Sequence, residues 1–211
     1  LAIVFMSVKQ DREAVSKLLD EKNIQIFGAT TAGEFIDGDI GEGSSVILLM
    51  DLNPAYFKIE FLEISLDDAV NGAKQLGEIG KKTYQNPALI IATGGVFIDG
   101  DQIMEGITHG FGNALSHANG EVTLFGGMAG DDLIAEEPLV FTNGKCQDNA
   151  LIALIIDEDK IDVKGIATCG WNAIGTTKTV TRSEGNIVYT IDDKPALDML
   201  MKYLGVDVKE E

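Results

Sequence analysis

The chain has 211 residues, of which 45% are hydrophobic and 24% are charged, a composition ordinary for a globular protein. Its formal net charge of -18 disfavours nucleic acid and anionic membrane surfaces as partners, because both attract clustered positive charge. No run approaches the roughly 18 apolar residues of a membrane span, and Cys146 and Cys169 have neither a redox nor a zinc-ligand spacing, so we expect a cytoplasmic protein with reduced thiols.

The first half of the chain alternates strands with one amphipathic helix. Residues 1–8 are almost continuously apolar, which is typical of a strand covered on both faces. Residues 51–54, Asp-Leu-Asn-Pro, suit a turn and predict a hairpin between the last two strands. The predicted elements are strand 1–8, helix 11–20, strand 24–27, a glycine-rich turn 28–34, and strands 45–50 and 56–62.

A helix over residues 67–80 joins this half to a second one, in which the pattern restarts. The next predicted helix runs to Leu115 and contains Gly106, Gly110 and Gly112, each of which weakens a helix by about 1 kcal/mol relative to Ala. Such glycines predict that another backbone approaches this helix closely. The predicted elements are strand 88–93, this helix, strand 122–125, a second glycine-rich turn 126–132, strand 139–141, a hairpin signal at 143–144, and strands 150–156 and 161–168.

The last stretch has no counterpart in the first half. It predicts a hairpin of residues 177–182 and 186–191, then a helix that begins near Pro195 and stops at Gly205. We therefore predict an α+β fold: an internally duplicated strand-helix-strand-hairpin unit in two packed mixed sheets with helices outside, plus a C-terminal hairpin and helix. The pseudo-repeats cover residues 1–64 and 87–168, residues 169–205 close one domain of residues 1–205, and residues 206–211 begin a linker.

The two glycine-rich turns are the most informative feature. Both follow a short strand and end in Ala-Gly-acid: Gly28-Ala29-Thr30-Thr31-Ala32-Gly33-Glu34 and Gly126-Gly127-Met128-Ala129-Gly130-Asp131-Asp132. Glycine turns expose backbone N–H groups that suit a ligand carboxylate. Thr30 and Thr31 add hydroxyl donors, and three acids, Glu34, Asp131 and Asp132, suit an ammonium. The pattern indicates an amino-acid-shaped site between two halves, although glycines and acids also make tight corners and cap backbone.

Further segments follow in a fixed order. They are Val140-Phe141-Thr142-Asn143-Gly144-Lys145, Cys169-Gly170-Trp171-Asn172-Ala173-Ile174-Gly175, Val180-Thr181-Arg182 with Gly185-Asn186, and Asp192-Asp193-Lys194-Pro195-Ala196-Leu197. Together with the two glycine turns, this ordered set resembles the N-terminal domain of the FIST family, the F-box and intracellular signal transduction proteins. The resemblance spans almost the whole chain.

The resemblance implies a sensory module for small ligands such as amino acids, attached to outputs such as kinases, chemoreceptor domains or cyclases. One departure is Asp193, which stands where family members often carry Gly. The family usually continues into a C-terminal FIST domain. The resemblance therefore implies a fragment or a stand-alone input module, whose partner is that domain or another signalling output.

We expect a ligand-sensing domain without catalysis, cofactor or metal. The ligand, an amino acid or similar small polar metabolite, is expected between the halves, where the Trp171 indole could form the base of the pocket. Binding is expected to change how the halves or the terminal helix pack. The oligomeric state stays open, a homo-oligomer included. The candidate binding residues are Thr30, Thr31, Glu34, Met128, Asp131, Asp132 and Trp171.

Two other function classes remain open. One is a small-molecule hydrolase or amidase that uses Cys169 or a threonine; His109 and His117 are the only histidines, and nothing in the sequence joins them to a nucleophile. The other is an interaction module whose acidic surface engages a basic partner. No phosphate-loop motif is present, and the Asp-Gly-Asp segments at 37–39 and 99–101 lack the calcium-loop pattern, so we interpret them as acidic turns.

Overall fold

A computed structural model describes residues 1–112, 115–117, 120–134, 138–166, 170, 172–173, 175–185 and 187–205. The chain divides into two compact units, Leu1–Gly165 and Ile166–Glu211. The linker predicted over residues 206–211 lies outside the described residues. Within the described part of the chain, no helix is long and apolar enough to cross a membrane.

The described residues of the first unit form three α-helices and thirteen β-strands, numbered here in chain order. They are β1 (Ala2–Met6), α1 (Arg12–Asp20), β2 (Ile26–Thr30), β3 (Glu34–Ile36), β4 (Asp39–Gly41), β5 (Ser45–Leu49), β6 (Phe57–Glu63), α2 (Ala69–Thr83), β7 (Pro87–Thr93), α3 (Gly100–Phe111), β8 (Ser116–His117), β9 (Gly120–Glu121), β10 (Leu124–Met128), β11 (Val140–Thr142), β12 (Lys145–Gln147) and β13 (Ala150–Asp157).

Two mixed sheets form the centre of this unit. The first has the strand order β12-β11-β2-β1-β5 and the second the order β10-β7-β13-β6. In each sheet one parallel pair is connected through a helix: β1 pairs with β2 around α1, and β7 pairs with β10 around α3. The other pairings are antiparallel. The strand-helix-strand part of the predicted duplication is thus present in both halves.

The two sheets pack face to face, with helices on their outer faces. Phe27 and Val140 of the first sheet share one buried cluster with Ile152 and Leu154 of the second. A second cluster joins α1 to the first sheet, and a third joins α2 and α3 to the second sheet. The predicted arrangement of packed mixed sheets with helices outside is confirmed. Residues 150–156 are buried at every position because β13 is central in its sheet and covered on both faces.

One predicted pairing is wrong. β5 and β6 are both strands, but they belong to different sheets and do not form a hairpin. A 3-10 helix (Pro54–Tyr56) carries the chain from one sheet to the other, and the Asn53 side chain caps it by accepting the N–H of Ala55 over 3.0 Å. β6 then pairs with the buried β13 along its whole length. The packing of β6 against β13 in the core outweighs the local preference for a turn at residues 51–54. The sequence pattern alone does not show which of the two pairings is more stable.

The glycines of α3 allow close packing against α2, as predicted. A Cβ atom on Gly110 would lie 2.7 Å from the Cα of Gly77, and one on Gly106 would lie 2.6 Å from the Cβ of Ala73. The two helices therefore approach backbone to backbone. Gly112 has a different function: it ends α3 in the left-handed conformation, with φ of 99°.

The second unit contains the predicted C-terminal hairpin and helix. Its elements are β14 (Val180–Glu184), β15 (Ile187–Ile191), β16 (Lys194–Pro195) and α4 (Ala196–Leu204). Gly205 ends α4 with φ of 66°. Asp192 and Asp193 form the two-residue turn between β15 and β16, with φ of 48° and 61°. A turn with two positive φ values explains why Gly suits the position of Asp193.

Candidate functional site

The buried polar residues of the described chain concentrate in one region. Except for Asn86, they lie at the carboxyl ends of the parallel strands or within four residues after them. Carboxyl ends of parallel strands are where ligand sites form in open α/β sheets, because the turns that follow diverge into a crevice. The residues concerned are Ser7 after β1, Thr30 and Glu34 at and after β2, Thr93 at the end of β7, and Asp131 after β10.

The two glycine-rich turns meet in this region. The N–H of Gly130 donates to the carbonyl oxygen of Thr30 over 2.8 Å, and the N–H of Asp132 donates to that of Thr31 over 3.3 Å. A Cβ atom on Gly130 would lie 2.9 Å from the amide nitrogen of Ala32. Glycine is therefore required at this contact for lack of space, and the two repeated motifs lie against each other.

Glu34 is held by three hydrogen bonds, one from the first turn and two from Ser44. The Thr31 hydroxyl donates to Oε1 over 2.6 Å, and the N–H and hydroxyl of Ser44 donate to Oε2 over 3.0 and 2.7 Å. The residue is only 3% exposed. Burial opposes ionisation, but the hydrogen bonds from Thr31 and Ser44 outweigh it and hold the pKa of Glu34 below its ordinary value. The ionised carboxylate of Glu34 thus fixes the loop between Thr31 and Ser44 and adds a negative charge to this region.

Asp132 lies beside the end of β1. Its Oδ2 accepts the Ser7 hydroxyl over 2.7 Å and forms an ion pair of 3.0 Å with the Lys9 ammonium. The Ser7 hydrogen bond and then Lys9 lower the pKa of Asp132, so it is ionised at neutral pH. Its Oδ1 is buried and has no hydrogen-bond partner among the described residues. Asp132 and Leu133 both have left-handed backbones, with φ of 56° and 64°, and such strain in non-glycine residues clusters at functional sites.

The remaining predicted residues are distributed differently. The Thr30 hydroxyl bonds to the backbone of Leu139, accepting its N–H over 2.8 Å and donating to its carbonyl over 3.3 Å. Met128 is 51% exposed and lines a separate cavity of about 320 Å³ with Thr93, Asp101 and Phe125. Trp171 and Cys169 lie outside the described residues. The structure therefore brings together Thr30, Thr31, Glu34, Asp131 and Asp132 from the predicted set.

A cavity of about 540 Å³ adjoins the first glycine turn. Thr31, Gly33 and Glu34 form its polar end, and they also belong to the polar cluster just described. The other walls are apolar side chains of both sheets and of the β3–β4 hairpin. They are Ile3, Phe5, Phe27, Phe35, Val46, Leu48 and Ile90.

The described residues contain neither a cluster of metal ligands nor a nucleophile paired with His109. Among the described residues, no group of three or more His, Cys, Asp or Glu side chains could hold a metal ion. The His109 side chain is 41% exposed on α3 and lies 3.9 Å from Glu105, one helical turn away. Asp37 and Gly38 form the positive-φ turn between β3 and β4, and Asp99 caps α3, so both Asp-Gly-Asp segments are structural turns.

Sequence reasoning missed three members of the site: Ser7, Lys9 and Ser44. Ser7 and Lys9 directly follow the first strand, and the rule that ligands gather at strand carboxyl ends could have found them. Ser44 lies ten residues beyond Glu34 in an irregular stretch, and no local pattern marks it.

Comparison with known proteins gives one match. The family model described as FIST N domain matches residues 1–194. Neither the search of curated proteins nor that of solved structures returns a match. The match covers most of the chain and confirms the resemblance drawn from the ordered motifs. The chain therefore belongs to the FIST N domain family, a family of sensory domains of signal-transduction proteins.

Proposed function

We propose that this domain senses an amino acid or a similar small polar metabolite, which binds at the polar cluster where the two glycine-rich turns meet. The observation that carries the proposal is the Asp132 carboxylate. Its side chain is 6% exposed, its Oδ1 lacks a partner among the described residues, and its Oδ2 already holds an ammonium group, that of Lys9. A buried acceptor without a partner costs free energy unless a ligand or water satisfies it.

The charge around this carboxylate favours a cationic ligand group. Glu34 and Asp131 are buried nearby in the same two turns, and Glu34 is close enough to Asp132 for the two charges to affect one another. The Lys9 side chain is 62% exposed, so it can move into solvent and be replaced by the ammonium of a ligand at little cost.

The test is thermal unfolding of the domain against the common amino acids and small carboxylates. A ligand at a hundred times its dissociation constant stabilises the folded state by about 2.7 kcal/mol. The variant Asp132→Asn keeps the shape of the side chain and removes its charge, so we expect it to lose the stabilisation. Asp39→Asn, an exposed acid on the β3–β4 hairpin, is the control for charge alone.

Two results would contradict the proposal. If no compound in the panel stabilises the domain, amino-acid sensing by this domain fails. If Asp132→Asn binds the ligand as tightly as the parent, Asp132 is not the ammonium partner.

A further inference from the structure

Several of the apolar side chains that line the cavity beside the first glycine turn are exposed to solvent. Phe5 lies opposite Val46, and Ile3 lies opposite Leu48, in the antiparallel pairing of β1 with β5. Within this lining, Phe5 is 39%, Leu48 is 53% and Phe35 is 76% exposed. Neighbouring apolar side chains left open to solvent on a folded domain commonly mark a binding surface.

The polar end of the cavity determines which head group it can accept. The Thr31 hydroxyl and the Glu34 carboxylate form this end, and the carbonyl of Thr31 accepts the N–H of Asp132. Glu34 is the carboxylate that lines this end, and the Asp132 carboxylate is close enough to affect its charge. The Lys9 ammonium is paired with Asp132. A fatty acid would bring a further carboxylate into this region, whereas an ammonium is complementary to it.

We propose that the cavity receives the side chain of the bound ligand, so that the domain selects amino acids with large aliphatic or aromatic side chains. This rests on the proposed function, because it assumes that the ligand ammonium binds at the carboxylates. A volume of about 540 Å³ falls within the roughly 300–1,000 Å³ typical of small-molecule sites. One methylene more or less in an apolar pocket changes selectivity by roughly 10–200-fold, so leucine should bind at least about tenfold more tightly than alanine.

The experiment is calorimetric titration of the whole chain with leucine, phenylalanine, alanine and glutamate. Leu48→Trp places a larger side chain in the cavity from a half-exposed position, and we expect it to weaken leucine binding at least about tenfold while alanine binding changes little. Leu49→Trp is the matched control, because the next residue on the strand points to the opposite face and is also exposed. If Leu48→Trp fails to fold, Leu48→Ser removes the same wall and should weaken leucine in the same direction.

The outcomes separate the two proposals. Equal affinities for leucine, alanine and glutamate, with no effect of Leu48→Trp, would overturn the side-chain selectivity and leave the sensing function intact. Failure of every amino acid to bind would overturn both. A dimer that dissociates on Leu48→Trp without any change in amino-acid affinity would show that a second copy covers the cavity, which would also overturn the inference.

Discussion

The amide of Gly130 donates a hydrogen bond to the carbonyl oxygen of Thr30 over 2.8 Å, and this bond joins the two halves of a duplicated chain at their equivalent turns. Gly130 lies 100 residues beyond Thr30, so the contact is a product of the fold and not of local sequence. It brings Glu34 of the first turn close to Asp132 of the second. The candidate site depends on this contact.

Gly130→Ala should separate the turns. The added Cβ would lie 2.9 Å from the backbone nitrogen of Ala32, and overpacking of this kind typically costs about 1–3 kcal/mol. Urea unfolding measures the loss, and titration with the identified ligand should show weaker binding. The control is Gly127→Ala, where no atom lies within 4 Å of the new methyl group. Equal effects of the two variants would mean that the contact between the turns is unimportant.

Glu34→Gln should destabilise the domain even without ligand. The amide cannot offer two acceptor oxygens to Thr31 and Ser44, and hydrogen bonds to a charged group contribute about 1.5–3 kcal/mol each. Glu42→Gln changes the same charge at an exposed position of the same segment and should have little effect. The free energy of unfolding in urea distinguishes them. If Glu34→Gln and Glu42→Gln have the same free energy of unfolding, the hydrogen bonds of Glu34 do not stabilise the loop.

Stability should fall in acid because of Glu34 and Asp132. Both have a pKa below the ordinary carboxyl value of about 4, so the folded state binds these protons less readily than the unfolded chain. Their contribution is complete above the ordinary pKa and is lost as the pH falls through the lowered one. The double variant Glu34→Gln/Asp132→Asn should therefore lose less stability than the parent between about pH 5 and pH 2. Parallel curves of unfolding free energy against pH would contradict this.

Gly110→Ala should destabilise the domain although Ala is the better helix former. The new methyl group would meet the backbone of α2, including the Cα of Gly77 at 2.7 Å, at a cost of roughly 1–3 kcal/mol. Gly100→Ala, at the open start of the same helix, should be neutral or stabilising by up to about 1 kcal/mol. Thermal unfolding of both variants tests the close approach. A stabilising Gly110→Ala would show that the helices can separate freely.

Asp193 offers a test of turn geometry in the second unit. Its φ of 61° is tolerated by Asp and Gly but strained for a β-branched residue by about 1–2 kcal/mol. Asp193→Val should therefore increase hydrogen exchange of the β15 and β16 amides, whereas Asp193→Gly should not. Exchange that is equally slow in both variants would argue against the positive φ.

Much of the fold follows from patterns that the sequence displays locally. The apolar run of residues 150–156 predicts a strand, and Gly205 predicts the end of α4; both are as observed. The partner of β6 does not follow in this way. Its alternation fits a hairpin with β5 as well as pairing with β13, and only the assembled core decides between them.

The candidate site could be predicted from the sequence only where a local pattern marks its residues. Glu34, Asp131 and Asp132 stand out because they end a repeated motif, and the structure places them together. Ser44 contributes two of the three hydrogen bonds to Glu34, yet nothing in its sequence neighbourhood distinguishes it. Met128 occupies the equivalent of a turn position but faces another cavity, because side chains on a strand alternate between faces.

The exchange of strands between the halves limits how this domain can transmit a signal. β6 of the first half pairs with β13 in the second sheet, and β11 of the second half pairs with β2 in the first sheet. Backbone hydrogen bonds therefore join each half to the other. A clamshell motion about a hinge would have to break both ladders. The β3–β4 hairpin carries Glu34 at its base and, among the described strands, pairs only within itself. A shift of this hairpin would therefore break none of the strand pairings of the two central sheets.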